Sequence, residues 1–141
     1  RDELAEALDS RLQGGDVEYI GESNDRQKPA SLGNARALLF PIDWPEPFGI
    51  VMIEAMACGT PVVAWHRGSV PEVLEDGVTG RIVDNEDDAV KAVHEVLAYD
   101  RRAVRAVFER RFTDEAMASR YLDLYAQLVR AREPDLGLRL A

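Results

Sequence analysis

Residues 37–83 read ALLFPIDWPEPFGIVMIEAMACGTPVVAWHRGSVPEVLEDGVTGRIV, and two kinds of pattern alternate along them. Ala37–Pro41 is a continuous apolar run, which predicts a strand covered on both faces. A loop, IDWPEPFG, leads into a helix over about 50–58 that stops at Gly59. PVVAW at 61–65 predicts a second buried strand. HRGS then turns into a short helix that begins near Pro71, a residue suited to the first helical position. Asp76–Gly77 reads as a turn and Arg81–Val83 as a last strand. Strands that alternate with helices imply parallel crossovers and an α/β layered fold.

The flanks extend the same grammar. Upstream, Leu4, Leu8 and Leu12 recur at a spacing of four and predict a helix over 2–13, ended by Gly14–Gly15. Val17–Ile20 predicts a short strand closed by Gly21. Residues 25–35 predict a helix, with Pro29 tolerated near its first turn. Downstream, three helices are expected near 86–98, 100–111 and 114–131, and the tail 133–141 lacks a periodic pattern. Ligands of such sheets gather at the carboxyl ends of the strands. That rim holds Gly21–Asp25, Ile42–Gly49 and His66–Val70.

Composition narrows the function classes. The chain has 141 residues, 46% hydrophobic and 30% charged, with a formal net charge of -9. That length supports one hydrophobic core. The negative charge argues against nucleic acid as a partner, because phosphate backbones are held by clustered Lys and Arg. Arg101–Arg102 and Arg110–Arg111 read as solvated helix faces. The single cysteine, Cys58, cannot form an internal disulfide and reads as a buried thiol in a reducing cytoplasm. No apolar run approaches the roughly 18–20 residues of a membrane-spanning helix. The chain opens on Arg1 instead of Met, apart from any signal-peptide pattern, so further residues are expected upstream.

Between Pro47 and His66, Glu54 is the one formally charged residue with His neutral. An unpaired acid in such an apolar helix costs on the order of several kcal/mol. Either a salt bridge or cap compensates it, or its oxygens accept hydrogen bonds from a pair of ligand hydroxyls. Glu46 lies eight residues earlier, just before Pro47-Phe48-Gly49 and the helix amino end. Helix amino termini present unpaired N–H groups and partial positive charge, and a glycine there lets an anion approach the backbone. Two carboxylates flanking bare amides suit a phosphorylated sugar nucleotide. The acidic run Asp84-Asn85-Glu86-Asp87-Asp88 precedes a helix and reads as cap and dipole partners.

These residues resemble the signature region of retaining GT-B glycosyltransferases of the group 1 type (family four). The Glu-x7-Glu motif of that family matches Glu46 and Glu54, followed by EAMACGTPVVA and a Gly-x-x-x-Glu loop, here Gly68 to Glu72. The clear match covers about residues 17–98. The resemblance implies a Rossmann-like parallel sheet with flanking helices, the carboxyl-terminal half-domain of a GT-B fold, with residues 1–132 forming a partial nucleotide-sugar-binding domain. It implies transfer of a sugar from a nucleoside-diphosphate sugar to an acceptor, with retention of configuration. Glu46 would be catalytic and face the donor sugar hydroxyls. The amides around Phe48, Gly49 and Ile50 would contact sugar and diphosphate, Glu54 the ribose, and Ser23 and Lys28 the base. Lys28 also reads as a solvated helix charge. Gly68 and Ser69 lie where the family closes its loop near sugar and acceptor. Trp44 suits either stacking on a sugar ring or pinning its loop by packing. His66 and Arg67 are candidates for phosphate contact.

No resident cofactor and no metal is expected, the sugar nucleotide being a co-substrate, and the implied location is cytoplasmic. The family's first two strands of this domain, with a diphosphate-gripping Arg and Lys, have no counterpart in the chain. An amino-terminal domain and central strands are therefore expected from the same protein or from another chain. Peripheral membrane association could come only through that part. The alternative reading is a non-catalytic nucleotide-sugar-binding or interaction module of the same fold. A nicotinamide-dependent dehydrogenase is disfavoured because no G-x-G-x-x-G follows a strand.

Overall fold

The computed structural model describes residues 15–21, 24 and 26–132. The helix expected over 2–13, Ser23 and the tail 133–141 lie outside them. Helix α1 (Lys28–Asn34) leads into strand β1 (Leu38–Phe40), followed by α2 (Ile50–Ala57), β2 (Val62–Trp65), α3 (Val70–Val73) and β3 (Gly80–Val83). Helices α4 (Glu86–Val96), α5 (Arg101–Arg111) and α6 (Asp114–Arg132) complete the order. The strands pair in parallel in the order β1-β2-β3, with Leu38 opposite Val62 and Val62 opposite Gly80. This is the alternating α/β architecture expected from residues 37–83.

The two faces of the sheet bury different residues, because successive strand side chains point to opposite sides. Val62 and Ala64 join Met52, Ala55 and Met56 of α2 and Val104 and Val107 of α5 in the larger core. Val63 of β2 and Val83 of β3 pack instead against Ala92 and Val96 of α4. Strand β2 is central and buried over Val62, Val63 and Ala64.

Strand β1 departs from the expectation of cover on both faces. Leu38 and Phe40 pack on the larger core, but Leu39 points to the α4 side and is 56% exposed. The reason is position: β1 is an edge strand of the described sheet, and α4 packs on β2 and β3. Residues 17–20 correct a second expectation. They form no strand, and Val17, Tyr19 and Ile20 are exposed. A strand needs a ladder partner, and none of the described residues pairs with this segment.

Local chemistry sets the helix ends. The carboxyl end of α2 is closed by a Schellman motif: the Gly59 N–H donates to the Met56 carbonyl and the Thr60 N–H to the Ala55 carbonyl. Gly59 has φ +70, and a Cβ there would lie 2.7 Å from the Arg101 carbonyl oxygen. Asn85 caps α4, its Oδ1 accepting from the Asp88 N–H, with Glu86, Asp87 and Asp88 in the first turn. The acidic run thus caps the helix as its position suggested. Hydrogen bonds from Lys91 and Asn85 hold the Asp88 carboxyl below the usual aspartate range. Burial and the nearby Glu95 carboxylate push the Tyr99 hydroxyl up. Among the described residues, no helix is long and apolar enough to cross a membrane.

Candidate functional site

The loop between β1 and α2 leaves the carboxyl edge of the sheet and delivers Glu46 to the amino end of α2. There the Gly49 N–H donates to Glu46 Oε1 at 3.2 Å. Gly49 itself takes the left-handed conformation, φ +69, as the residue that opens the helix. Glu46 therefore closes the helix terminus with its own carboxylate, where the unpaired amides and the helix dipole favour negative charge. Its main chain is tied at both ends. The Glu46 N–H donates to the Trp44 carbonyl at 2.8 Å, and its carbonyl accepts from the Ser69 N–H at 2.9 Å.

That last bond joins two segments the sequence placed on one rim, 42–49 and 66–70. Gly68, φ +49, lies so close to Glu46 that a Cβ would overlap the Glu46 carbonyl oxygen and amide nitrogen. The Ser69 hydroxyl is buried without a hydrogen-bond partner among the described residues. Phe48 and Ile50 turn their side chains outward, 50% and 61% exposed. They line an open apolar cleft of about 470 Å³ with Phe112, Met117 and Tyr121.

Glu54 sits on the second turn of α2, and Lys28 on the first turn of α1 approaches it, Nζ to Oε1 at 3.2 Å. The two side chains are 37% and 31% exposed, so solvent screens the pair. Both border a second open cleft, about 370 Å³, with Leu32, Cys58 and Arg105. Of the two compensations considered for Glu54, the salt bridge is present. It does not exhaust the acid, since an ionised carboxylate has about four lone-pair sites for hydrogen bonds. Lys28, expected to be either a base contact or a solvated charge, is thus engaged with the helix that carries Glu54.

The remaining candidates scatter. Trp44 is 60% exposed and does not pin its loop by burial. His66 faces Asp84, Nδ1 to Oδ1 at 3.8 Å, and Arg67 donates to the His66 carbonyl. Cys58 is half-buried, its Sγ 3.9 Å from the Pro29 carbonyl oxygen, instead of sealed in the core. The carboxyl cap of α2 places it at the surface between α1 and α2.

Two arginines read as solvated prove to be structural anchors. Arg101 donates to the Ala35 and Gly33 carbonyls at 2.6 and 2.9 Å, and to the Cys58 carbonyl and Thr60 Oγ1 at 3.3 and 2.7 Å. It therefore ties the end of α1 to the turn after α2. Arg111 donates to the Glu72 and Val73 carbonyls and pairs with Glu75. Their positions in the sequence held no clue to this: Arg101 and Arg102 both stand in the first turn of α5, and Arg102 is exposed.

Comparison with known proteins bears on the family and the fold. The family model described as "Glycosyl transferases group 1" matches residues 1–111. An uncharacterized 41.2 kDa protein in the cps region of Klebsiella pneumoniae is 33% identical over 122 residues, 82% of this chain and 34% of that protein. A GDP-mannose-dependent alpha-(1-6)-phosphatidylinositol monomannoside mannosyltransferase of Mycolicibacterium smegmatis is 53% identical over 60 residues, 41% of this chain and 16% of that protein. Among solved structures, the sucrose-phosphate synthase of Thermosynechococcus elongatus superposes with a TM-score of 0.70 at 29% identity, covering 91% of this chain and 34% of that one. The chain spans about a third of the length of the first of these relatives. The three-stranded parallel sheet with its flanking helices is a Rossmann-like half-domain of the GT-B type.

Proposed function

Because this chain belongs to the group 1 glycosyl transferases, we propose that it supplies part of the donor site of an enzyme that moves a sugar from a nucleoside-diphosphate sugar to an acceptor with retention of configuration. The observation that carries this reading is the arrangement on α2: Glu46 closes its amino end and Glu54 lies one turn inward, beside a cleft. In this reading Glu46 takes the hydroxyls of the transferring sugar. The amides of Phe48, Gly49 and Ile50, with the α2 dipole, meet the sugar and the diphosphate, the Gly49 N–H exchanging its bond to Glu46 Oε1 for one to the donor. Glu54 takes the ribose hydroxyls, and Ser23 and Lys28 the base side.

The chemistry follows from charge. As the anomeric carbon to diphosphate oxygen bond breaks, negative charge grows on the leaving diphosphate. Preorganised amides and a helix dipole stabilise it without reorganising. Two acids alone do not imply the two-carboxylate hydrolase scheme, because their roles depend on which atoms they face. Here Glu46 is held by a backbone amide and Glu54 by Lys28, so both are oriented before any donor arrives. No metal or resident cofactor is needed for these roles, and a cytoplasmic setting suits a sugar-nucleotide donor. The other lobe of the cleft and the acceptor site belong, in this reading, to the rest of the protein.

Calorimetry of the intact protein with uridine, guanosine and adenosine diphosphates tests the donor site. Saturable binding of one of them is expected. No affinity for any of the three would remove the assignment.

A further inference from the structure

We infer that Gly68 is a positioning residue that sets where the Glu46 carboxylate stands, so that the 66–70 loop governs sugar transfer through Glu46 while leaving nucleotide affinity alone. The inference rests on the donor-site reading. Three observations converge on one seam. A Cβ on Gly68 would overlap the Glu46 carbonyl oxygen and amide nitrogen and would lie 2.9 Å from the Pro45 carbonyl carbon. The Ser69 N–H donates to the Glu46 carbonyl at 2.9 Å. Only Pro47 and Phe48 separate Glu46 from Gly49, whose amide holds the Glu46 carboxylate.

The device is made of backbone. The Ser69 hydroxyl has no hydrogen-bond partner among the described residues, whereas the Ser69 amide does. Any side chain at 68 pushes on rigid backbone atoms of Glu46 and Pro45, which cannot swing aside as the end of a flexible side chain can. The displacement passes to the Glu46 carboxylate, whereas Gly49 stays with α2, its carbonyl accepting from the Met52 N–H at 3.0 Å. Glu54 and Lys28 lie further along α2 and on α1, away from this seam. The loop and the nucleoside half of the site are therefore separable.

The fold provides a matched control. Gly77 has φ +80, and a Cβ there meets nothing within 4 Å. Alanine at 68 and at 77 therefore imposes similar backbone strain, and only the first adds a collision with Glu46. The test uses the intact protein and follows acceptor-independent hydrolysis of uridine, guanosine and adenosine diphosphate sugars. In that reaction water adds to the anomeric carbon, and the nucleoside diphosphate leaves with release of a proton. Inhibition by the bare nucleoside diphosphate is measured in parallel.

Gly68→Ala is expected to lower turnover about tenfold or more while the inhibition constant moves by less than about twofold. Gly77→Ala should leave both within about twofold of the parent. In a Glu46→Gln background Gly68→Ala should change turnover by less than about twofold, since both changes then act on one interaction. If Gly68→Ala proves unstable, Ser69→Pro removes the amide that donates to the Glu46 carbonyl, at a φ of -76 that proline adopts, and the same split between turnover and inhibition is expected. The inference is overturned if Gly68→Ala behaves like Gly77→Ala, if turnover and inhibition fall together, or if the effects of Gly68→Ala and Glu46→Gln multiply in full. A parent protein that neither binds the diphosphates nor hydrolyses the sugars would instead remove the donor-site reading itself.

Discussion

Glu46, in the loop before α2, and Glu54, on that helix, are held by different partners, and that difference makes their variants informative. Glu54 is paired with Lys28 in a half-exposed setting, where an ion pair contributes at most about 1 kcal/mol. Glu54→Gln should therefore leave thermal stability nearly unchanged. In the intact protein it should weaken nucleoside diphosphate binding roughly 10- to 100-fold, as expected for a lost charged acceptor. Titration calorimetry reads the outcome, and wild-type affinity would make the Lys28 bridge the whole role of Glu54. Glu46→Gln should behave in the opposite way. Turnover of the sugar nucleotide should fall on the order of 100-fold while nucleotide affinity holds, because its partner is the group in transfer. Steady-state kinetics with a diphosphate inhibitor separates the two effects. Glu54 could be picked out from the sequence because it is the one charge in an apolar stretch, and Glu46 because it stands just before Pro47-Phe48-Gly49 and the helix amino end. The ties between Gly68, Ser69 and Glu46 could not, since a backbone collision leaves no compositional mark.

Helices α1, α2 and α5 are joined at their ends by Arg101, whose guanidinium serves acceptors 41 to 68 residues away in sequence. Arg101→Ala strands the Gly33, Ala35 and Cys58 carbonyls and should cost about 2–3 kcal/mol, a fall of roughly 5–10 °C in melting temperature. Arg101→Lys should recover only part of this, because an ammonium cannot reproduce the planar fork. Arg102→Ala, at an exposed position, should change little; equal melting temperatures for the alanine variants would contradict the anchor. At the start of α4, the depressed Asp88 carboxyl ties stability to acid. Its contribution is present above the ordinary aspartate value of 3.8 and is lost as pH falls through the lower native value. Acid unfolding of Asp88→Asn followed by circular dichroism should therefore slope less than the parent over that window. Element boundaries were readable where the stop signals are local: Pro71 at a first helical position, Gly59 in a Schellman motif and Asn85 as a cap. The face that Leu39 presents was not, because an apolar run declares a tendency to be buried and leaves open what covers it. Arg101 was misread for a related reason: four acceptors from distant segments converge on it only after folding.

As a molecule, this half-domain spans about a third of the Klebsiella relative. Leu39 on the edge strand and Tyr121, Leu122, Tyr125 and Val129 on α6 stand exposed, apolar surface that the described cores leave uncovered. The isolated 141-residue chain is accordingly expected to show no sugar transfer, while the intact protein transfers. Transfer assays on both forms check this, and measurable activity of the isolated chain would contradict it. The order of elements over 28–132 was legible because alternating apolar runs and capped helices specify an α/β layer without knowledge of partners. The segment 17–20 shows the limit, since its pattern has strand character and the described sheet offers it no neighbour. On the donor-site proposal, α2 and the loop before it form a donor-binding element. A crystal structure of the intact protein soaked with the sugar nucleotide it binds tests that most directly. Ribose hydroxyls within hydrogen-bonding distance of Glu54, the diphosphate at the amino end of α2 and sugar hydroxyls on Glu46 are expected. A nucleotide seated elsewhere, with Glu54 still held only by Lys28, would contradict the proposal.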